Sequence, residues 1–180
     1  MTEKELLYGP GDINLALTSM ASEIIDRYYE IPFLVGIRRG GVTLSERLAE
    51  LMVPTLGQKP PLGIIDINLY RDDWTRARSF PKIGRTEIPF TLDDRRVILV
   101  DDVLYTGRTA RAALDAITEF GRPGRVELAV LVDRGHREMP IQADYAPFVL
   151  STSAEEMVEV NFSSDSLSDE IVLLRAPKNG

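Results

Sequence analysis

The 180-residue chain contains no cysteine. That absence excludes a disulfide framework and any thiolate metal site, and it suits a reducing compartment. No run of about 18 or more apolar residues occurs, and no basic segment leads into an apolar one at the start, so nothing points to membrane insertion or export. A soluble, cytoplasmic protein is expected. Positive charge is scarce, with 21 Lys and Arg against 28 Asp and Glu for a net charge of −7. Broad nucleic-acid affinity is disfavoured, because phosphate contacts supply most of such binding; a local basic patch stays compatible. Two nucleotide motifs are missing as well: there is no Gly-x-x-x-x-Gly-Lys-Ser/Thr, and no Gly-x-Gly-x-x-Gly after a strand. A P-loop ATPase and a dinucleotide dehydrogenase both lose support. Histidine and tryptophan occur once each, as His136 and Trp74. A lone histidine between arginines is more often structural or interfacial than catalytic, and Trp74 reads as a lid anchor or an exposed ring.

What is present centres on residues 97–109, Val-Ile-Leu-Val-Asp-Asp-Val-Leu-Tyr-Thr-Gly-Arg-Thr. The apolar run has the length and β-branching of a buried parallel strand, and Ala113, Leu114, Ile117 and Phe120 recur at helical spacing after it. The loop between strand and helix is where an open α/β sheet binds ligands, and the helix start aims free N–H groups at an anion. Thr106, Gly107, Arg108 and Thr109 read as a phosphate cradle. Asp101 and Asp102 need another partner, because carboxylates repel phosphate. Ribose hydroxyls can donate to them while Mg²⁺ held mainly by substrate oxygens neutralises the phosphates. The segment reads as a phosphoribosyl-binding site.

Elsewhere, Asp12 reads as a helix N-cap, with Leu15, Leu17, Met20, Ile24, Ile25 and Tyr28 as an apolar stripe. Strands are expected over Ile31–Ile37, Leu62–Leu69 and Val126–Asp133, and a helix over Val42–Met52. Gly121-Arg-Pro-Gly124 ends the next helix, and Met157–Phe162 with Glu170–Arg175 reads as a hairpin. The alternation gives an α/β fold with a mainly parallel twisted sheet, helices on both faces and one domain over 1–180. Arg38-Arg39-Gly40-Gly41 joins a strand to a helix with two fixed cations and two residues that permit close backbone approach, which reads as a pyrophosphate loop. Residues 70–89 carry Arg71, Arg76, Arg78, Lys82 and Arg85 against Asp72, Asp73 and Glu87, without clear periodicity. Such a long loop in a compact domain reads as an active-site lid.

The Asp101–Thr109 segment resembles the phosphoribosyl diphosphate (PRPP) motif of type I phosphoribosyltransferases. Its Asp-Asp-Val-Leu-Tyr-Thr-Gly-Arg-Thr form is similar to that of the pyrimidine operon regulator and uracil phosphoribosyltransferase family, PyrR. Gly36–Gly41, Leu69–Asp73 and Leu128–Ile141 match the same family, and the likeness runs from about residue 12 to about residue 145. It implies the type I fold with a small hood and flexible loop at about 70–95, in which Tyr70, Arg71, Asp72 and Asp73 belong to the lid. It implies transfer of the phosphoribosyl group of PRPP to a base nitrogen with release of pyrophosphate, with Asp101, Asp102, Arg38 and Arg39 as catalytic residues. Tyr105, Thr106, Gly107, Arg108 and Thr109 then bind PRPP or UMP beside the Asp pair, and Arg38, Arg39, Gly40 and Gly41 hold pyrophosphate. In related enzymes this loop adopts a non-proline cis peptide. Many members read Lys-Thr-Arg-Gly there, so Gly40 stands in place of a cation and Arg39 adds one nearby.

Hypoxanthine and guanine transferases place an Asp where this chain has Tyr105, so the resemblance favours uracil, held by backbone groups near Val132, Asp133 and Arg134. Mg²⁺ arrives with PRPP near Asp101 and Asp102 rather than in a dedicated protein site. The implied partners are uracil, PRPP, UMP, pyrophosphate and further copies of the chain in a homodimer or higher homo-oligomer. Many relatives also bind a pyrimidine-operon leader RNA and respond to uridine nucleotides, which makes a nucleotide-sensing RNA-binding regulator the alternative. Against it, the family's Ala-Leu-Thr-Arg is Ala16-Leu17-Thr18-Ser19 here, followed by Ser22 in place of His. Pro-Ile-Arg-Ala-Asp is Pro140-Ile141-Gln142-Ala143-Asp144, and a later basic segment is replaced by Ala146–Ser153. Arg27, Arg134 and Arg137 remain.

Overall fold

A computed structural model describes residues 3–67 and 86–176. The lid residues Tyr70, Arg71, Asp72 and Asp73, with Trp74, lie outside the described residues. Among the described residues, five strands form the main sheet in the order β3-β2-β4-β5-β6, all parallel. They are β2 (Phe33–Ile37), β3 (Leu62–Ile65), β4 (Arg96–Leu104), β5 (Arg125–Asp133) and the short β6 (Phe148–Val149). Register pairs Val35 of β2 with Leu99 of β4, and Leu99 with Leu128 of β5. The central strands are apolar on both faces because both faces are covered. Leu34, Ile98, Val100, Ala129 and Leu131 pack against α1 (Pro10–Arg27) and α2 (Gly40–Leu56). Val35, Ile37, Val97, Leu99 and Val130 pack against α3 (Arg108–Ile117) on the other side.

That arrangement positions the site. The chain leaves β2 through α2 on one face and leaves β4 through α3 on the opposite face, while β2 and β4 are hydrogen-bonded neighbours. Their carboxyl ends therefore flank the point where the winding direction reverses, the crevice in which open α/β sheets bind ligands.

A second, antiparallel sheet has the order β1-β8-β7, from β1 (Glu3–Tyr8), β7 (Met157–Asn161) and β8 (Glu170–Arg175). The expected hairpin is its β7–β8 part. The strand β1 was not legible in the sequence, because Glu3, Lys4, Glu5 and Leu6 are all exposed and show no alternation. Buried Val158, Ile171 and Leu173 pack this sheet onto the α1–α2 side of the core, and side-chain contacts add to them. Tyr8 stacks on Phe148 of β6 with ring centroids 4.0 Å apart. Arg47 of α2 pairs with the buried Asp169 and donates to the Ser163 oxygen at 2.6 Å.

Several boundaries differ from expectation. Gly9, not Asp12, is the N-cap of α1; Asp12 sits at the third helical position and accepts a hydrogen bond from the Gly9 N–H at 3.1 Å. An acidic residue serves at either place, one capping and the other reaching back. Strand β2 begins at Phe33 rather than Ile31, and α2 extends beyond both expected ends to Gly40 and Leu56. Strand β3 ends at Ile65, short of Leu69. The last expected turn of α3 tightens into a 3-10 turn over Thr118–Phe120. Residues 86–95 fold back on β3, where the Ile64 and Glu87 main chains exchange bonds at 2.7 and 2.8 Å.

Candidate active site

Strand β4 delivers Tyr105, Thr106 and Gly107 to the start of α3. Gly107 caps the helix at φ +87°, a left-handed conformation that costs glycine little. The first turn of α3 carries no acidic residue, so no side-chain carboxylate of the helix itself opposes its positive dipole end, and the Arg108 N–H makes a long bond of 3.4 Å to Thr106 Oγ1. Main-chain anchors hold the loop from below. The Thr106 oxygen accepts hydrogen bonds from the N–H groups of Glu138 and Met139 at 2.9 and 3.0 Å, and the Tyr105 oxygen accepts one from Arg137 Nη1 at 2.8 Å. Arg108 pairs with Glu138 at 2.6 Å. These anchors come from the Leu128–Ile141 segment, so two motifs separated in sequence form one structural unit.

Asp101 is buried and Asp102 partly so. The Asp102 N–H donates to Asp101 Oδ1 at 3.0 Å, and the Val103 N–H donates to Asp102 Oδ1 at 2.9 Å, which fixes the direction of both carboxylates. The Arg38–Gly41 loop lies directly against them. A Cβ on Gly40 would fall 2.1 Å from Asp102 Oδ2, and one on Gly41 would fall 2.0 Å from the Val100 oxygen. Both glycines are demanded by close approach rather than by turn geometry. The Arg38–Arg39 peptide is cis, as expected.

One residue of this region escaped sequence reading. Asp66, just past β3 and buried, places Oδ2 4.0 Å from Arg38 Nε, while its N–H donates to Thr86 Oγ1 at 3.0 Å. The Arg38 N–H donates to the Ile65 oxygen at 3.0 Å, so the arginine is tied at both backbone and side chain to the end of β3. A carboxylate ending the apolar run Leu62–Ile65 was the available signal.

The residues expected near the base diverge. Val132 is buried in β5. Asp133 turns its carboxylate back onto its own loop, accepting from the Gly135 N–H at 2.9 Å and from Arg137 Nη2 at 2.5 Å. The Arg134 side chain points at the Tyr105 ring and at the oxygens of Ser153 and Glu156. His136 has Nε2 2.6 Å from the Thr152 oxygen and its ring edge-on to Tyr105, a packing role. Two clefts lie elsewhere, one of about 500 Å³ near Tyr29, Phe33 and Arg95, the other of about 220 Å³ beside Leu114 and Leu128. Neither includes Asp101, Asp102 or the Thr106–Thr109 loop. Among the described residues no group of three or more His, Cys, Asp or Glu forms a ready-made metal cage. The hard oxygens of Asp101 and Asp102 fit Mg²⁺ shared with substrate oxygens. No helix among the described residues is long and apolar enough to cross a membrane.

The fold and this constellation define a type I phosphoribosyltransferase. A family model described as the phosphoribosyl transferase domain matches residues 10–162. Bifunctional protein PyrR of Desulfosudis oleivorans is 52% identical over 171 residues, covering 93% of this chain and 94% of that protein. Bifunctional protein PyrR of Deinococcus radiodurans is 48% identical, covering 94% of each. The chain belongs to the PyrR family. Among solved structures, the hypoxanthine phosphoribosyl transferase of Trypanosoma cruzi has a TM-score of 0.70 at 18% identity, over 95% of this chain and 91% of that one. At such identity the likeness is one of fold.

Proposed function

We propose that the protein is a Mg²⁺-dependent uracil phosphoribosyltransferase that forms UMP and pyrophosphate from uracil and PRPP, as the enzymatic side of a pyrimidine regulator. The carrying observation is the abutment of two loops, in which Gly40 lies against Asp102 on the strand that leads into the N-terminus of α3, whose first turn has no acidic residue. A ligand with a 5′-phosphate, ribose hydroxyls and a pyrophosphate has matching groups in that order: Thr106–Thr109, the Asp101–Asp102 pair, and Arg38 with Arg39. The bond from C1 of the ribose to pyrophosphate breaks as the uracil nitrogen attacks, and the sugar develops positive charge on the way.

Catalysis is then placement and electrostatics without a side-chain nucleophile. The α3 N–H groups hold the phosphate end. Asp101 and Asp102 orient the hydroxyls and place negative charge near the developing cation. Arg38 and Arg39 accept the charge of the departing pyrophosphate. Mg²⁺, when bound with the substrate, shields phosphate charge and assists the leaving group. Tyr105 stands where purine transferases carry a proton-exchanging Asp, which favours a pyrimidine whose own N1 proton leaves with little help. The whole chain acts as one domain, in the cytoplasm, as a dimer or higher homo-oligomer.

The test is UMP formation from uracil, PRPP and Mg²⁺, with orotate, hypoxanthine and guanine as parallel acceptors. Turnover with uracil alone is expected. Turnover with a purine overturns the base assignment, and binding of PRPP or UMP without turnover moves the protein to a nucleotide sensor. The RNA reading has less support. Arg27 pairs with Asp144 at 3.5 Å and Glu127 at 4.0 Å, Arg134 is buried, and Arg137 is bonded within its own loop. The arginines that sequence reading left available for phosphates are engaged with the protein itself.

A further inference from the structure

Tyr105 is the last residue before the phosphate loop, and its ring is held on two sides. The Arg134 guanidinium carbon lies 4.1 Å from the ring centroid, and the His136 ring meets it edge-on at 5.7 Å. Arg134 is 5% exposed, and its Nη2 donates to the main-chain oxygens of Ser153 and Glu156 at 3.0 and 2.6 Å. Its Nε is buried with no hydrogen-bond partner. A buried cation with an incomplete set of acceptors is costly unless another negative surface faces it, and the π face of Tyr105 supplies one.

The two carbonyls belong to a turn shaped by Glu156. Its Oε2 accepts the Ser153 N–H at 2.7 Å, and its Oε1 accepts from Arg175 Nε of β8 at 2.8 Å. Arg175 also pairs with Glu5 of β1 at 2.5 Å. A continuous set of polar contacts thus runs from the small sheet, through the Ser153–Glu156 turn and Arg134, to the residue that opens the phosphate loop.

We propose that Arg134 is a positioning residue: gripped by the Ser153–Glu156 turn, it clamps the Tyr105 ring and thereby sets the conformation of Thr106–Thr109 for the 5′-phosphate of PRPP and UMP. The assignment rests on the phosphoribosyltransferase reading for its ligand, and it gives the small sheet a part in substrate binding. Arg137 secures the same loop from the main-chain side through the Tyr105 oxygen. The clamp acts on the ring and needs no hydroxyl.

The experiment compares wild type with Arg134→Met, Tyr105→Ala, Tyr105→Phe and Glu156→Ala in the full-length protein. UMP affinity, the KM values for PRPP and uracil, and amide hydrogen exchange over 105–109 without ligand are measured. Arg134→Met and Tyr105→Ala are expected to weaken UMP binding about tenfold and to raise the KM for PRPP more than that for uracil. Both should also speed exchange at 105–109 while the core strands stay protected. Tyr105→Phe keeps the ring and should be impaired clearly less than Tyr105→Ala in every readout, since the cation–π contact survives. Glu156→Ala, at a site remote from the ligand, should shift the same readouts in the same direction by a smaller factor. Unchanged exchange and unchanged UMP affinity in Arg134→Met overturn the clamp. A Tyr105→Phe as impaired as Tyr105→Ala also overturns it, by assigning the hydroxyl a direct ligand contact. Should Arg134→Met fail to fold, Glu156→Ala and the two Tyr105 variants decide the matter. A wild type that binds neither UMP nor PRPP overturns the functional reading instead, and the exchange data still judge the clamp.

Discussion

A Cβ on Gly40 would lie 2.1 Å from Oδ2 of Asp102, so the loop after β2 and the carboxylates of β4 are fitted to each other with no room for a methyl group. Rotating Asp102 away does not relieve the overlap, because its own Cβ would sit 2.8 Å from the new atom, and rotation breaks the bond from the Val103 N–H. Gly40→Ala should therefore displace the Arg38–Arg39 segment and lower kcat/KM about 100-fold, the cost of misplacing a reacting group by about an ångström. Steady-state kinetics with a parallel melting curve check this, and a fully active alanine variant would show that the loop moves freely.

Asp101→Asn and Asp102→Asn remove negative charge from the ribose position while keeping shape. Each should reduce kcat/KM by about 100-fold if the carboxylates stabilise developing positive charge. The loss should appear in turnover or in PRPP affinity. Unchanged kinetics in both variants sinks the ribose assignment.

Asp66→Asn tests whether the buried carboxylate aims Arg38. The KM for pyrophosphate in the reverse reaction, UMP to PRPP, should rise about tenfold, equivalent to ~1.4 kcal/mol, with the KM for UMP little changed. Equal increases in both would argue for general disruption of the β3 end.

The small sheet should depend on Arg47 and Asp169. Burial alone would raise the Asp169 carboxyl, yet the Arg47 guanidinium and the Ser163 N–H and hydroxyl outweigh it and hold the group below its ordinary value of 3.8. A carboxylate lowered in the folded state stabilises above its unfolded pKa and loses that contribution as pH falls through its folded pKa. Acid unfolding should then begin below about pH 4 in the wild type. Asp169→Asn should cost about 2 to 3 kcal/mol at neutral pH, towards the lower end for a buried pair because Arg47 is partly exposed. Denaturant melts at pH 7 and pH 3 measure both, and a variant whose deficit is as large at pH 3 as at pH 7 would rule out the ion pair as its source.

For RNA, a labelled pyrimidine-leader hairpin titrated at 50 and 200 mM salt should show only the weak range of about 10⁻⁴ to 10⁻⁶ M at the higher salt. Nanomolar binding that survives 200 mM salt would show that the paired Arg27 and its neighbours reorganise to meet phosphate.

Motifs in which local residue type and chemistry coincide were legible in the chain. Asp101–Thr109 combines a buried strand with a helix start, and no distant residue is needed to recognise it. Arg38–Gly41 reads as an anion loop for the same reason, although its glycines turned out to be required by contacts with the distant residues Asp102 and Val100 of β4. Asp66 was passed over because a lone carboxylate at a strand end has many uses, and only the pairing of β2 with β3 brings Arg38 to it. Arg134 read only as main chain near a base, and its side-chain partners Ser153 and Glu156, about twenty residues on, come from the tertiary fold.

The sequence by itself determined the α/β alternation, the apolar strands and the turn that joins β4 to α3, because these follow from hydrophobic periodicity and from backbone preferences within a few residues. Tertiary structure alone decided that the N-terminal strand joins the C-terminal hairpin, that Gly40 meets Asp102, and that Arg134 faces Tyr105. Those contacts depend on strand order and on burial of charge between distant segments, and neither is encoded in local spacing.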